Sequence, residues 1–90
     1  MLVAVRSTQF KRDVKLAEKR GKDLGKLRIL LRLLIEQKPL PAAYRDHPLR
    51  GRWQGFRDAH IEGDWLLIYR VVGNELQLAR TGTHADLFKE

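Results

Sequence analysis

Residues 53–81, WQGFRDAHIEGDWLLIYRVVGNELQLART, decide the fold of this chain. The stretch contains three strand-like runs: Trp53 to Ile61, Asp64 to Val72 and Glu75 to Thr81. Glu62-Gly63 separates the first two runs, and Gly73-Asn74 separates the last two. Because turns of this length join antiparallel neighbours, the stretch predicts a three-stranded meander.

A strand and a helix are predicted upstream of the meander. Val3-Ala4-Val5 is apolar enough for a short strand, and Ser7 or Thr8 can cap the helix that follows. Apolar side chains then recur on one helical face, at Phe10, Val14 and Ala17. The pattern therefore predicts an amphipathic first helix.

A second helix follows the break at Gly21, with Asp23 as its cap. Its apolar stripe consists of Leu24, Leu27, Leu31, Leu34 and Ile35. Pro39 and Pro41 end it, since proline disfavours helical geometry in the residue before it. The residues from 42 to 52 are polar and irregular, and the tail after Thr81 is too polar for a strand.

Together these elements predict one small α+β domain over residues 1–90, in the order β-α-α-β-β-β. The two helices form a hairpin that packs on one face of an antiparallel sheet. The opposite sheet face is left uncovered, and it is either a substrate platform or an inert wet surface. With no cysteine, the chain has neither disulfides nor thiolate ligands, so its core must be sufficient for folding.

Composition favours a cytoplasmic protein. The chain is 43% hydrophobic and 32% charged, which is typical of globular domains rather than disordered ones. Its longest apolar runs, Ile29-Leu30-Leu31 and Trp65 to Tyr69, are far too short to cross a bilayer. The first residues lack the basic start and long apolar region of a secretory signal.

The net charge of +7 is concentrated in residues 1–40, while residues 41–90 carry seven charges of each sign. A positive field of this kind attracts polyanions, which favours contact with nucleic acid over the alternative, a lysine-rich solvated surface. We expect six basic side chains off the apolar stripes to contact RNA: Lys11, Lys15, Lys19, Lys22, Lys26 and Arg32.

All three histidines, His47, His60 and His84, lie in the second half of the chain. Asp58 shares a strand face with His60, because the two residues are two apart. Asp64 joins that face if the hairpin loop has three residues, and lies on the other face if the loop has two.

Histidines with arginines nearby indicate RNA cleavage without a cofactor. The 2′-hydroxyl of RNA is the nucleophile, histidine moves protons near neutral pH, and arginine binds phosphate in a bidentate manner. Arg57 and Arg80 are the arginines assigned to substrate, and Phe88 is a candidate for base stacking. A zinc site is the alternative, but no closely spaced histidine pair is present, so we predict no metal.

The chain also resembles the YafQ-type toxins of the RelE superfamily. Three motifs carry the resemblance: Leu40 to Leu49 (LPAAYRDHPL), Gly51 to Tyr69, and Arg80 to Phe88 (RTGTHADLF). The stretch FKRDVKLA, residues 10–17, is similar to the first helix of that family. The resemblance implies a fold related to the microbial ribonucleases, with two helices against a curved antiparallel sheet.

The resemblance also implies a function. It predicts a toxin that cleaves mRNA inside the ribosome, inhibits translation and is silenced by a cognate antitoxin. The functional positions implied are His47, His60, Asp64, His84 and Phe88, with Asp58 in support.

Within this set we expect His84 to protonate the leaving oxygen or stabilise the phosphorane. Asp64 or His60 would take the 2′-proton, and His47 would contact phosphate or share the proton transfers. Two alternatives remain: a non-catalytic module that binds RNA or the ribosome, and a gyrase-inhibiting toxin of the same fold.

Overall fold

The computed structural model describes residues 1–88 as a mixed sheet with helices on both faces. The strands are β1 (Val3–Arg6), β2 (His47–Pro48), β3 (Arg57–Glu62), β4 (Trp65–Val72) and β5 (Glu75–Gly82). The helices are α1 (Thr8–Lys19), α2 (Leu24–Ile35) and α3 (His84–Phe88), and short 3-10 turns occur at 42–44 and 51–53. No helix among residues 1–88 has the length and apolar character needed to cross a membrane.

The strands are ordered β1-β5-β4-β3-β2, and the predicted α+β class is confirmed. The β3–β4–β5 meander is antiparallel, as expected. The prediction of a wholly antiparallel sheet is wrong in one respect, because β1 pairs with β5 in parallel. Parallel neighbours require a long crossover rather than a tight turn, and the intervening helices and strands provide it.

Both long helices begin at the predicted caps. The Ser7 hydroxyl accepts a hydrogen bond from the Phe10 amide at 2.9 Å and donates one to the Ala79 carbonyl at 2.7 Å. The Asp23 carboxylate accepts from the Gly25 amide at 2.9 Å. The buried side chains of α1 and α2 pack on one sheet face, in a core that includes Phe10, Leu30, Trp65, Leu67 and Leu78.

The prediction that the opposite sheet face is uncovered is wrong. Leu66 and Ile68 of β4 are fully buried on that face with Leu87 of α3. Loop and α3 side chains pack over them: Leu49, Trp53, Phe56 and Phe88. This second small core explains why five consecutive residues, 65–69, are all buried. Only part of the face remains open.

Two boundaries differ from those predicted. The first meander strand begins at Arg57 rather than Trp53, because a 3-10 turn occupies 51–53 and Gly55 has a φ of +93°. That φ favours glycine and interrupts a regular strand. The last strand ends at Gly82, one residue later than predicted, and residues 84–88 of the polar tail form the short helix α3, which brings His84 back onto the sheet.

Candidate active site

Three histidines and one phenylalanine form a row on the sheet face opposite α1 and α2. The ring centres of His47 and His60 are 6.3 Å apart, and those of His60 and His84 are 5.8 Å apart. Phe88 follows at 6.0 Å from His84. The row crosses β2, β3 and α3, so the fold brings together three histidines that are 13 to 37 positions apart in the sequence.

Asp64 holds His84 at two points. Its Oδ1 accepts a hydrogen bond from the His84 backbone amide at 2.9 Å, and it also contacts Nδ1 of the His84 ring. The backbone hydrogen bond is the main reason why the pKa of Asp64 lies below its usual value. The carboxylate therefore stays ionised, and its contact at Nδ1 leaves Nε2 of His84 available to a substrate.

Of the two loop lengths considered for the β3–β4 hairpin, the two-residue loop is right in length, but it lies one residue later than predicted. β3 extends to Glu62, which pairs with Trp65, so the turn consists of Gly63 and Asp64. His60 pairs with Leu66, and a bulge between His60 and Glu62 absorbs the extra residue. Asp64 thus projects from the turn toward α3 rather than standing opposite His60.

The short helix α3 is itself fixed at its N-terminus. The Thr83 amide donates to Asp86 Oδ2 at 3.0 Å, and the Asp86 amide donates to Thr83 Oγ1 at 3.1 Å, which is a capping box. Arg20 donates to Asp86 at 2.7 Å and, through this hydrogen bond, lowers the pKa of Asp86 to about 2. The segment that carries His84 is therefore tied to the end of α1.

His47 contacts two acceptors through Nδ1. The Arg45 carbonyl lies 2.7 Å away, and Asp58 Oδ1 lies 3.1 Å away. The Nδ1 hydrogen is directed at the carbonyl, so the contact with Asp58 is an electrostatic pairing and that oxygen accepts no hydrogen bond within residues 1–88. Nδ1 carries the hydrogen, and Nε2 of the exposed ring is left for substrate.

Asp58 lies beneath the histidine row and is only 3% exposed. Burial raises the pKa of Asp58, and the nearby histidines oppose part of that rise. His60, in the middle of the row, has a buried Nδ1 with no hydrogen-bond partner in the described part of the chain. Unpaired buried polar atoms cost free energy, so their presence at one place indicates a site maintained for function rather than stability.

Two predicted substrate contacts are placed elsewhere. Arg80 lies on the helix side of the sheet, where it donates to both carboxylate oxygens of Asp13 at 2.9 and 3.0 Å. Arg57 also points away from the row, because it is adjacent to Asp58 on β3, and it pairs with Asp46. Both guanidinium groups are occupied by carboxylates, so the prediction that they bind phosphate does not fit the structure.

Asp46 and Tyr69 are residues that the sequence reasoning missed. Asp46 accepts hydrogen bonds from Arg57 and from the Tyr69 hydroxyl, although the two partners are 11 and 23 positions away. The position of Asp46 directly before His47 was the signal that could have indicated its importance. Free cations near the row are better sought in the exposed loop arginines, Arg45, Arg50 and Arg52.

The predicted RNA-binding lysines lie along α1, α2 and the turn between them. Lys11, Lys15, Lys19 and Arg32 are exposed, and Lys22 is half-exposed. Lys26 is exposed as well, but it pairs with Glu62 at 2.8 Å. Most of this surface therefore carries unneutralised charge, as an RNA-binding role requires.

Comparisons with known proteins agree with this architecture. The sequence model described as bacterial toxin of type II toxin–antitoxin system, YafQ, matches residues 2–89. The mRNA interferase toxin YafQ of Escherichia coli K12 is 58% identical over 83 residues, which cover 91% of this chain and 90% of that protein.

Two solved structures extend the comparison. YafQ in the E. coli DinJ-YafQ toxin–antitoxin complex superposes with a TM-score of 0.88 at 55% identity, covering 97% of each chain. A metal-bound toxin from Helicobacter pylori superposes with a TM-score of 0.91 at 39% identity, covering 98% of this chain and 100% of that one. Within residues 1–88 no three His, Asp or Glu side chains are grouped as metal ligands.

The shared fold and the histidine row define a small bacterial toxin of the endoribonuclease class, which confirms the enzyme prediction. The chain belongs to the YafQ family of type II toxin–antitoxin toxins. The matched range, residues 2–89, contains every residue of the site described above.

Proposed function

We propose that this toxin is an mRNA interferase that cleaves mRNA on the ribosome by metal-free acid–base catalysis and is silenced by a cognate antitoxin. The observation that carries the proposal is the Asp64–His84 pair, which stands in one row with His60 and His47. The family relationship supports the RNA substrate, since the E. coli relative is an mRNA interferase.

The reaction needs two proton transfers at one phosphodiester. The 2′-oxygen attacks phosphorus as its proton leaves, and the bond to the 5′-oxygen breaks as that oxygen gains a proton. The products are a 2′,3′-cyclic phosphate and a 5′-hydroxyl. No oxidant, metal or cofactor takes part in this exchange.

His84 is the proposed acid. Its Nδ1 is held by Asp64, so the proton reaches the leaving oxygen from Nε2, and the carboxylate compensates the charge of the protonated ring. Asp64 acts through His84, so of the two bases considered earlier we assign the 2′-proton to His60. Because the rings of His60 and His84 are 5.8 Å apart, one phosphate between them can contact both.

The remaining residues bind rather than react. His47 contacts phosphate oxygens at the other end of the row or shares the proton work, and buried Asp58 orients it. Phe88, next to His84, stacks on a neighbouring base. The basic residues of α1 and α2 hold ribosomal RNA and thereby place the site near mRNA in the ribosome.

The test is cleavage of mRNA on translating ribosomes. The enzyme and the RNA are first treated exhaustively with EDTA, and magnesium is then restored for the ribosomes. The expected products end in a 2′,3′-cyclic or 3′-phosphate and begin with a 5′-hydroxyl. Products with a 3′-hydroxyl, or activity that depends on added zinc, contradict the proposal. Gyrase inhibition without RNA cleavage, or ribosome binding without cleavage, identifies the corresponding alternative.

A further inference from the structure

Asp46, the residue before His47, is held by side chains that the proposed chemistry does not use. Arg57 donates from Nε to Oδ1 at 3.1 Å and from Nη2 to Oδ2 at 3.0 Å, and the Tyr69 hydroxyl donates to Oδ1. Arg57 and Tyr69 are directly opposite each other on β3 and β4. These three residues form what we call the Asp46 cluster.

The Asp46 cluster lies across the sheet from the histidine row. Tyr69 packs in the core beneath α1 and α2, and Arg57 shares its face. His47 instead pairs with Asp58, whose side chain lies under the row. Consecutive residues of an extended chain point to opposite faces, so fixing Asp46 on one side also fixes His47 on the other.

The cluster is anchored more firmly than a surface ion pair. Tyr69 is only 3% exposed. Its burial, and to a smaller extent its hydrogen bond to Asp46, raises its pKa. The hydroxyl therefore remains a donor throughout the physiological pH range. The hydrogen bond from Arg57 is bidentate in form, which restricts the carboxylate in orientation as well as position.

The backbone segment that carries His47, by contrast, has little support of its own. Its strand has two residues, one of which is Pro48, and proline cannot donate a backbone hydrogen bond. The His47 side chain is 51% exposed, and Arg45, two residues earlier, adopts a left-handed conformation with φ of +48°. A segment this short at a sheet edge needs an external anchor to hold a side chain in one place.

We propose that Asp46, Arg57 and Tyr69 are positioning residues that place His47 for its contact with the scissile phosphate. None of the three touches the substrate, and the cluster acts through His47 alone. This inference rests on the proposed role of His47 in RNA cleavage.

Tyr69→Phe is the most discriminating change, because it removes one hydroxyl and leaves the buried ring. Under single-turnover, saturating conditions we expect cleavage to slow by about 10- to 100-fold, the cost of misplacing a reacting group by roughly 1 Å, with little change in KM. Tyr44→Phe is the matched control. Tyr44 lies in the loop that contains Asp46, and its hydroxyl makes no hydrogen bond with the described residues. Cleavage by this variant should therefore stay at the wild-type rate.

The same change is then made in a His47→Gln background. If Tyr69 acts through His47, the second substitution adds no further loss, whereas independent roles give multiplied losses. An additive result overturns the inference. Arg57→Gln tests direct RNA binding, because a raised KM with a reduced salt slope would assign Arg57 to phosphate instead of to Asp46.

An NMR measurement keeps the inference testable without activity. In Tyr69→Phe and Asp46→Asn, the ring resonances of His47 should shift, while those of His84 should not. An unchanged His47 ring in both variants overturns the inference. If the wild type cleaves no RNA, the proposed function fails, and these ring signals still decide whether the cluster positions His47.

Discussion

A single carboxylate oxygen, Oδ1 of Asp64, contacts both the backbone amide and the ring Nδ1 of His84. Asp64 comes from the β3–β4 turn and His84 from the start of α3, 20 positions later. The contact thus closes α3 onto the sheet and sets the orientation of the ring at the same time. A catalytic acid with its second nitrogen held in this way presents one defined nitrogen to the substrate.

Asp64→Asn should lower the cleavage rate by about 10²- to 10⁴-fold, because an amide no longer fixes the ring in its productive tautomer. The loss should appear in kcat rather than KM, since Asp64 does not face the substrate. Single-turnover cleavage at saturating enzyme measures it. Glu62→Gln in the same hairpin is the matched control, and equal losses in the two variants would contradict the role given to Asp64.

Asp58→Asn should change the pH dependence of stability. Burial raises the pKa of Asp58 above its unfolded value, so the folded wild type loses stability as pH rises through the interval between the two pKa values. The variant lacks this loss. The free energy of unfolding of the variant minus that of the wild type should therefore be larger at pH 7 than at pH 3.5, as measured by urea denaturation.

Cleavage by Asp58→Asn should nevertheless fall, since the carboxylate faces His47 at 3.1 Å. Glu18→Gln, on the exposed surface of α1, is the control for removing one carboxylate. A difference in stability between Asp58→Asn and wild type that is the same at both pH values would contradict this account of Asp58.

Replacing Lys11, Lys15 and Lys19 with Gln should weaken ribosome association and flatten its salt dependence. Each lost phosphate contact removes a slope of about 0.7 to 0.9 in log K against log salt. Lys26→Gln is an informative comparison, because Lys26 already pairs with Glu62 and should contribute less. Folding should change by less than about 0.5 kcal/mol, as these side chains are exposed.

Association is measured by ribosome sedimentation across a salt series, with binding to the cognate antitoxin followed in parallel. If the salt dependence of association is unchanged in the triple variant, the basic surface of α1 and α2 is only a solvated face and does not bind RNA. Normal antitoxin binding in the same variant separates loss of the RNA surface from damage to the fold.

Local patterns were sufficient to predict most of the elements. The caps at Ser7 and Asp23 and the helical stripes depend on neighbours within four residues, so they are readable from the sequence. The parallel pairing of β1 with β5 cannot be predicted in this way, because it joins Val3 to Glu75 and no local signal encodes that partner. The cover over Leu66 and Ile68 was missed for the same reason.

The candidate site divides along similar lines. Residue type and family resemblance indicated His47, His60, Asp64 and His84, which the fold brings close together. The arginines were misjudged because a guanidinium near a histidine in sequence can lie on the opposite sheet face, as Arg57 does. Their carboxylate partners, at separations of 11 residues for Arg57 and 67 for Arg80, follow only from the tertiary structure.

The most direct test of the central claim is cleavage of ribosome-bound mRNA by His84→Ala. Cleavage should fall by about 10²- to 10⁴-fold or more, with growth arrest abolished, while ribosome affinity and the melting temperature stay close to those of the wild type. His84 is only half-buried at the start of α3, so its loss should leave the fold intact. A folded His84→Ala protein that cleaves mRNA at the wild-type rate would contradict the account.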